Sequence, residues 1–242
     1  MCDNRNLKSH SLARLNPSVV ALVLIGCWIV LLVAHLSGLY LKFGLGFEFA
    51  LGVVPFFDFD AEKNAPSLFS SGLFFIAGVF CSVLWRTSDS QAVGNPWLVL
   101  SCVCCFLAFD EYAEVHEKLI DPMRSAFGTT GFFYFPWIIP YAAGVGVLAL
   151  LLIPFWRRIG RKPVGWFAFS AAVYLSGAIG FEMIGGKYLE SLGDVKTLTY
   201  ALIVTVEETL EMLGLIMLVY ALLNHLRERT GEITVGISRV DG

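Results

Sequence analysis

"FLAFDEYAEVHEKL", residues 106–119, begins as membrane core and ends as ionisable chemistry. Residues 97–109 carry no charge, yet Asp110, Glu111, Glu114, His116 and Glu117 then fall within eight positions. A long uncharged run predicts a spanning helix. Ionisable groups within or at the end of a span face the bundle interior or a water-filled space, because charge towards lipid is rare. The stretch therefore predicts a helical membrane bundle with a polar site near one surface.

Composition supports the first half of that expectation. Of the 242 residues, 57% are hydrophobic and 15% charged, against about a quarter charged in soluble domains. The mean hydropathy is +0.71. A net charge of -3 and the lack of a basic stripe exclude nucleic acid as a partner. Of the six cysteines, Cys81, Cys102, Cys104 and Cys105 sit in apolar runs as small hydrophobes, and no C-x-x-C pair occurs. "LIGC", residues 24–27, resembles a lipoprotein cleavage box, but the apolar run continues beyond it. An uncleaved first span is expected, with lipidation the alternative.

Six stretches of about 20 apolar residues appear, near 17–40, 66–86, 96–117, 132–156, 164–185 and 198–224. The expected fold is all-α: a six-helix integral membrane bundle over 17–224, an N-terminal segment 1–16 and a tail 225–242. Pro66, Pro96 and Pro163 are expected at helix starts, and Pro136 and Pro140 as kinks. Eleven Lys and Arg fall in the connections on one side and six on the other, which places both termini in the cytoplasm. Trp97, Trp137, Trp156 and Trp166 lie near span ends and are expected as interface anchors. Residues 43–66 are too apolar for an ordinary loop and too broken by Gly and Pro for a span, so an interfacial or re-entrant segment is expected. It ends in Asp58, Asp60, Glu62 and Asn64, with Ser67 as a candidate helix cap. An ordinary acidic loop at headgroup level is the alternative.

The acids converge on one level. Asp110 lies about 21 Å from Pro96 along the third span, and Glu207 about 14 Å below Leu198 on the sixth. Glu182 ends the fifth span and His35 the first. On the sixth, Glu207, Glu211 and Glu208 fall at about 0°, 40° and 100°, one acidic arc. On the third, Glu117, Asp110, Glu114 and Glu111 form another if the helix is unbroken. His116 then points about 120° from Asp110, so the two share an ion only if the helix unwinds. An intramembrane carboxylate costs roughly 2.5–3.5 kcal/mol. Compensation must come from a cation, from protons or from a water-filled cavity, with Lys118 and Lys187 too few to neutralise the set.

The candidate ligands are Asp110, Glu114, Glu117, His116, Glu182, Glu207 and Glu211, with Glu208 and Glu111 as acid–base candidates. A carboxylate-rich, His-poor set suits Ca²⁺, Mg²⁺ or Mn²⁺ over zinc, and iron if His35 joins. A His116 bonded to Tyr112 or to a headgroup is the competing reading. No nucleophile elbow or phosphate loop occurs. Ser176 and the small residues of "SGAIGFEMIGG", 176–186, favour close helix packing over catalysis.

Three ordered motifs, "FDFDAEKNAPSLFSS" (57–71), "DEYAEVHE" (110–117) and "EETLEMLG" (207–214), resemble a family of uncharacterised bacterial multipass membrane proteins. The resemblance implies a bacterial inner-membrane location. It also implies that Asp58, Asp60, Glu62, Asn64, Asp110, Glu111, His116, Glu117, Glu207, Glu208 and Glu211 occupy signature positions. It implies no activity. The leading functional expectation is a cation-dependent enzyme acting on a lipid or isoprenoid. The alternatives are an ion- or proton-coupled transporter and a non-catalytic assembly subunit.

Overall fold

A run of long apolar helices dominates the computed structural model, which describes residues 13–231 and 234–235. Most of the predicted N-terminal segment and the end of the predicted tail lie outside the described residues. Ala13–Arg14 pairs antiparallel with Thr234–Val235, setting the two ends side by side. Among the described residues all other regular structure is helical, as the sequence leads one to expect.

Helix α1, Pro17–Leu39, starts where the Asn16 side chain accepts the Ser18 N–H and runs on as a π-helical turn, Tyr40–Gly44. The short α2, Val53–Phe57, precedes α3, Ala65–Arg86, and α4, Gln91–Ala113. After α5, Ile120–Phe127, come α6, Ile138–Leu151, and α7, Ile153–Ile159. Then α8, Arg161–Leu175, passes through a π-helical segment, Ser176–Phe181, into α9, Glu182–Ser191. The chain closes with α10, Leu198–Thr230.

Four stretches are long and apolar enough to cross a membrane: Pro17–Gly44, Ala65–Arg86, Gln91–Ala113 and Arg161–Ser191. A fifth is added if α6 and α7, bent by 55°, count as one span. The predicted sixth, α10, is not among them. It is instead the central helix, packed by α1, α3, α8 and α9. It buries two of its acids, Glu207 and Glu211, and a long apolar stripe from Met212 to Leu226, and it continues to Thr230, past the expected boundary at 224.

Three proline expectations change. Pro96 lies inside α4, which begins at Gln91. A proline has no N–H for the carbonyl four residues back; here that is Ala92, and the Arg158 guanidinium donates to it at 3.1 Å. Pro140 falls in the first turn of α6, where a missing N–H costs little, and Pro136 precedes that helix. The bend sits at Leu152, where Pro154 cannot donate to Leu150.

The earlier start of α4 also moves Trp97 inwards. It is 1% exposed, with edge contacts to Phe155 at 5.0 Å and Phe167 at 5.8 Å, so it is core rather than an interface anchor. Leu73, Phe74, Ala77, Cys81 and Leu84 of α3 meet Cys104 and Ala108 of α4 and Leu215 to Leu226 of α10 in one apolar core. Gly78 lets α3 and α4 close: a Cβ there would lie 2.9 Å from Cys105 Sγ. Cys102 and Cys105 are exposed, Cys81 and Cys104 buried.

Candidate functional site: a carboxyl-lined chamber

Beyond that apolar core, nine carboxyl groups line one cavity of about 160 Å³: Asp60, Glu62, Asp110, Glu111, Glu117, Glu182, Glu207, Glu208 and Glu211. His116 and the tyrosines Tyr141, Tyr174 and Tyr200 join them. No Lys or Arg is among the lining residues. Each wall has a local cause.

The loop before α3 is folded by Asn64. Its side chain accepts the Ser67 N–H at 3.1 Å while the Ser67 hydroxyl accepts the Asn64 N–H at 3.0 Å. Asn64, not Ser67, is therefore the cap, in a reciprocal capping box. Its amide also donates to the Asp58 carbonyl at 2.6 Å and the Pro55 carbonyl at 3.3 Å. That curl presents Asp60 and Glu62 to the chamber and turns Asp58 away. Asp58 pairs with Lys42 at 3.3 Å and accepts the Asp60 N–H at 3.2 Å.

His35 is also outside the chamber. Its ring stacks on Phe59, centroids 4.2 Å apart, and Nδ1 accepts the Phe59 N–H at 3.1 Å. That leaves Nε2 to donate to Thr205 Oγ1 at 2.9 Å, whose hydroxyl donates to Ala201. Both ring nitrogens are used, so His35 staples α1 to α10 and is no ligand.

The opening stretch breaks. Glu114 adopts a left-handed conformation, φ 56°, and ends α4. Asp110 then accepts the His116 N–H at 2.9 Å on Oδ1, with His116 Nδ1 3.3 Å from Oδ2. The 120° separation of an unbroken helix is gone, and the two residues meet. Glu114 is turned out, pairs with Lys63 at 2.7 Å, and does not line the chamber. Lys118 folds back onto the Ala113 carbonyl, and Lys187 lies over the Phe132 ring at 4.3 Å, so neither compensates the acids.

On the opposite wall the π-helical segment Ser176–Phe181 presents Ala178 and Ile179 to the cavity. π-turns inside α-helices are often found at functional sites. Gly177 allows α10 to press against it: a Cβ there would lie 2.6 Å from the Glu207 carbonyl oxygen and 2.9 Å from Glu211 Cγ. Gly185 and Gly186 likewise meet neighbouring side chains, whereas Gly180 faces open space, so most of the small-residue stretch is packing. Glu207 and Glu211 are 7% and 8% exposed. Trp137, expected as an anchor, is buried and donates to Glu182 at 3.1 Å.

Burial with too few partners sets the electrostatics. Glu62 is pushed up to about 7, first by burial and then by the Glu117 charge. Burial also raises Glu117 and Asp60 above the usual carboxylate range. For His116 burial acts downwards, but the Asp110 hydrogen bond and the charges of Asp110, Glu117 and Glu182 outweigh it and hold the imidazole above its usual value. Glu62 Oε2 is buried without a hydrogen-bond partner. Ligand atoms of Glu62, His116 and Glu117 lie within 4.8 Å of one another.

Sequence reasoning missed the three tyrosines and the ligand-like position of Glu62. The available signal for Tyr174 was a phenol in the middle of an apolar span. Glu62 was named among the signature positions, but its place beside His116 and Glu117 depends on the curl around Asn64.

Helices long and apolar enough to cross a membrane thus close around a buried acidic chamber, an all-helical fold with an internal polar site. The chain belongs to the family described as Domain of unknown function (DUF8692), matched over residues 18–226, a range that contains all three motifs. No curated protein and no solved structure matches the chain.

Proposed function

We propose that the chamber is the active site of a cation-dependent membrane enzyme acting on a lipid or isoprenoid. In this reading α10 and the bent α6–α7 pair join the four long apolar stretches as six spans in a bacterial inner membrane. Both termini face the cytoplasm, and residues 43–57 lie at the outer interface. Phe47, Phe49, Val53 and Phe56 of that segment are exposed, which suits contact with acyl chains.

The observation that carries the proposal is the unbalanced charge of the cavity. Asp60 is paired with Lys196 and Asp110 faces His116, but the other seven carboxyls of the lining have no Lys or Arg partner among the described residues and need positive charge or protons. Glu111 and Glu208 line the chamber and receive no side-chain hydrogen bond among the described residues, so they remain free for an ion or for proton transfer. Glu208 and Glu111 are the acid–base pair in this reading. A lipid substrate is favoured by an apolar groove of about 800 Å³ between α1 and α3, whose lining includes Lys63, the chain neighbour of Glu62 in the chamber. Transport is disfavoured because the chamber is floored by apolar core, with Ser71 and Ser101 bonded to backbone carbonyls rather than forming a polar path.

Elemental analysis of the detergent-purified protein beside Glu208→Gln tests the proposal. Wild type should hold a divalent cation at near-stoichiometric level, and its melting temperature should rise when divalent cations are added after chelation. A metal-free protein whose melting ignores such cations would overturn it.

A further inference from the structure

We infer that Glu62, His116 and Glu117 together bind a single divalent transition-metal ion at the chamber mouth, with Asp110 orienting the imidazole instead of ligating. The inference rests on the reading of the chamber as a cation site and says where the ion sits and of what kind it is.

Four observations carry it. The first is spacing. One ligand atom from each of the three residues lies within 4.8 Å of the others. Three ligand atoms held at about 2.1 Å from one ion stand about 3.4–3.6 Å apart, so closure needs each of them to move by no more than about 0.7 Å.

The second is the support behind the histidine. Asp110 holds the His116 backbone N–H at 2.9 Å and faces Nδ1 at 3.3 Å, itself only 4% exposed. With Nδ1–H given to a carboxylate, the free lone pair is on Nε2. Carboxylate-supported imidazole is the usual arrangement behind a metal-bound histidine, and it fixes both tautomer and ring orientation. Trp137, its ring 4.8 Å from the imidazole, packs against it.

The third is an unmet acceptor. Glu62 Oε2 is buried with no partner, and a bound ion is one of the few things that accounts for a buried polar atom left unpaired.

The fourth is that the neighbouring lysines are committed elsewhere. Lys63 is held by Glu114 at 2.7 Å and Lys196 by Asp60 at 2.6 Å. Neither substitutes for an ion between Glu62 and Glu117.

The donor set selects the metal. Two carboxylates and one imidazole suit Mn²⁺, Fe²⁺ or Zn²⁺, whereas Ca²⁺ and Mg²⁺ favour all-oxygen shells. That departs from the sequence expectation, which favoured Ca²⁺, Mg²⁺ or Mn²⁺ over zinc because the whole candidate set is rich in carboxylates and poor in histidine. Three protein ligands leave coordination positions for water or substrate. The inner carboxyls Glu111, Glu208 and Glu211 stand beyond the ion, free to carry protons.

The test uses the full chain in detergent, stripped by chelator and titrated with Mn²⁺ by electron paramagnetic resonance and with Co²⁺ by visible absorption. Wild type should bind one ion. Glu62→Gln, His116→Gln and Glu117→Gln should each weaken binding by roughly 100-fold or more, and Asp110→Asn by about 10–100-fold. Glu114→Gln should change nothing. His116→Cys should retain one Co²⁺ and gain a sulfur-to-cobalt charge-transfer band that is absent from wild type and is lost again when Glu62→Gln is added. The inference is overturned if the three ligand variants bind as wild type while Glu207→Gln or Glu211→Gln abolishes binding; a cation site then survives deeper in the chamber. It is also overturned, together with the enzyme proposal, if folded wild type binds no ion at all.

Discussion

Replacing Glu62 by Gln should make the metal-free protein more stable at alkaline pH. Burial pushes the Glu62 carboxyl from 4.5 up to about 7. A raised folded-state value means the native protein holds its proton more tightly than the unfolded chain. Stability from this group is therefore full below about pH 4.5 and is lost as pH rises through about 7. The displacement corresponds to roughly 3 kcal/mol. Gln keeps the shape and removes the titration. With chelator present, wild type and Glu62→Gln should melt alike near pH 4.5 and diverge to a limit above about pH 8. There the variant should be more stable by roughly 3 kcal/mol, or about 6–12 °C for a chain of this length. Differential scanning fluorimetry in a mild detergent across pH 4.5–9 measures the divergence. Curves that stay parallel at every pH would refute the claim that this carboxyl is buried without compensation. Adding Mn²⁺ should reverse the order at high pH, since only wild type keeps all three proposed ligands.

Gly177→Ala and Gly214→Ala should each destabilise by about 1–3 kcal/mol in thermal unfolding. Their Cβ atoms would sit 2.6 Å from the Glu207 carbonyl oxygen and 2.6 Å from the Tyr174 nitrogen, and backbone cannot step aside. Gly180→Ala, with nothing within 4 Å, serves as the tolerated neighbour. His35→Phe should cost about 2–3 kcal/mol by stranding the Phe59 N–H, yet leave the stoichiometry of bound cation unchanged when that is measured by elemental analysis. Arg158→Ala should cost about 0.5–1.5 kcal/mol in wild type and less in a Pro96→Ala background, because that replacement restores a backbone N–H for the Ala92 carbonyl. A double-mutant cycle by melting shows that coupling, or its absence.

Composition made the helical membrane class legible, and periodicity made the acidic arc of Glu207, Glu208 and Glu211 legible, because α10 is an unbroken helix and 100° per residue holds along it. The same arithmetic failed on residues 110–117. A left-handed Glu114 carries no Gly or Pro signal, and its turn depends on Asp110 capturing the following backbone N–H, a contact six residues away. Glu114 was therefore counted with the acids it leaves. His35 and Glu62 exchanged importance for a similar reason. Hydrogen bonds made across the loop at 58–64 consume one and strand the other, and neither bond has a sequence period. The prolines misled where a partner outside the helix, Arg158, supplied the missing donor.

The π-helical segment has an evolutionary consequence. One residue rotates everything after it by about 100°. Deleting a single codon within Ser176–Phe181 would swing Glu182 out of the chamber, Gly185 off α10 and Gly186 off Phe135. Read in reverse, a one-codon insertion into a plain apolar helix would suffice to turn an acid inwards and to split one rod into two independently aimed halves. Homologues that differ by one residue here would therefore differ in chamber charge before any other position had changed.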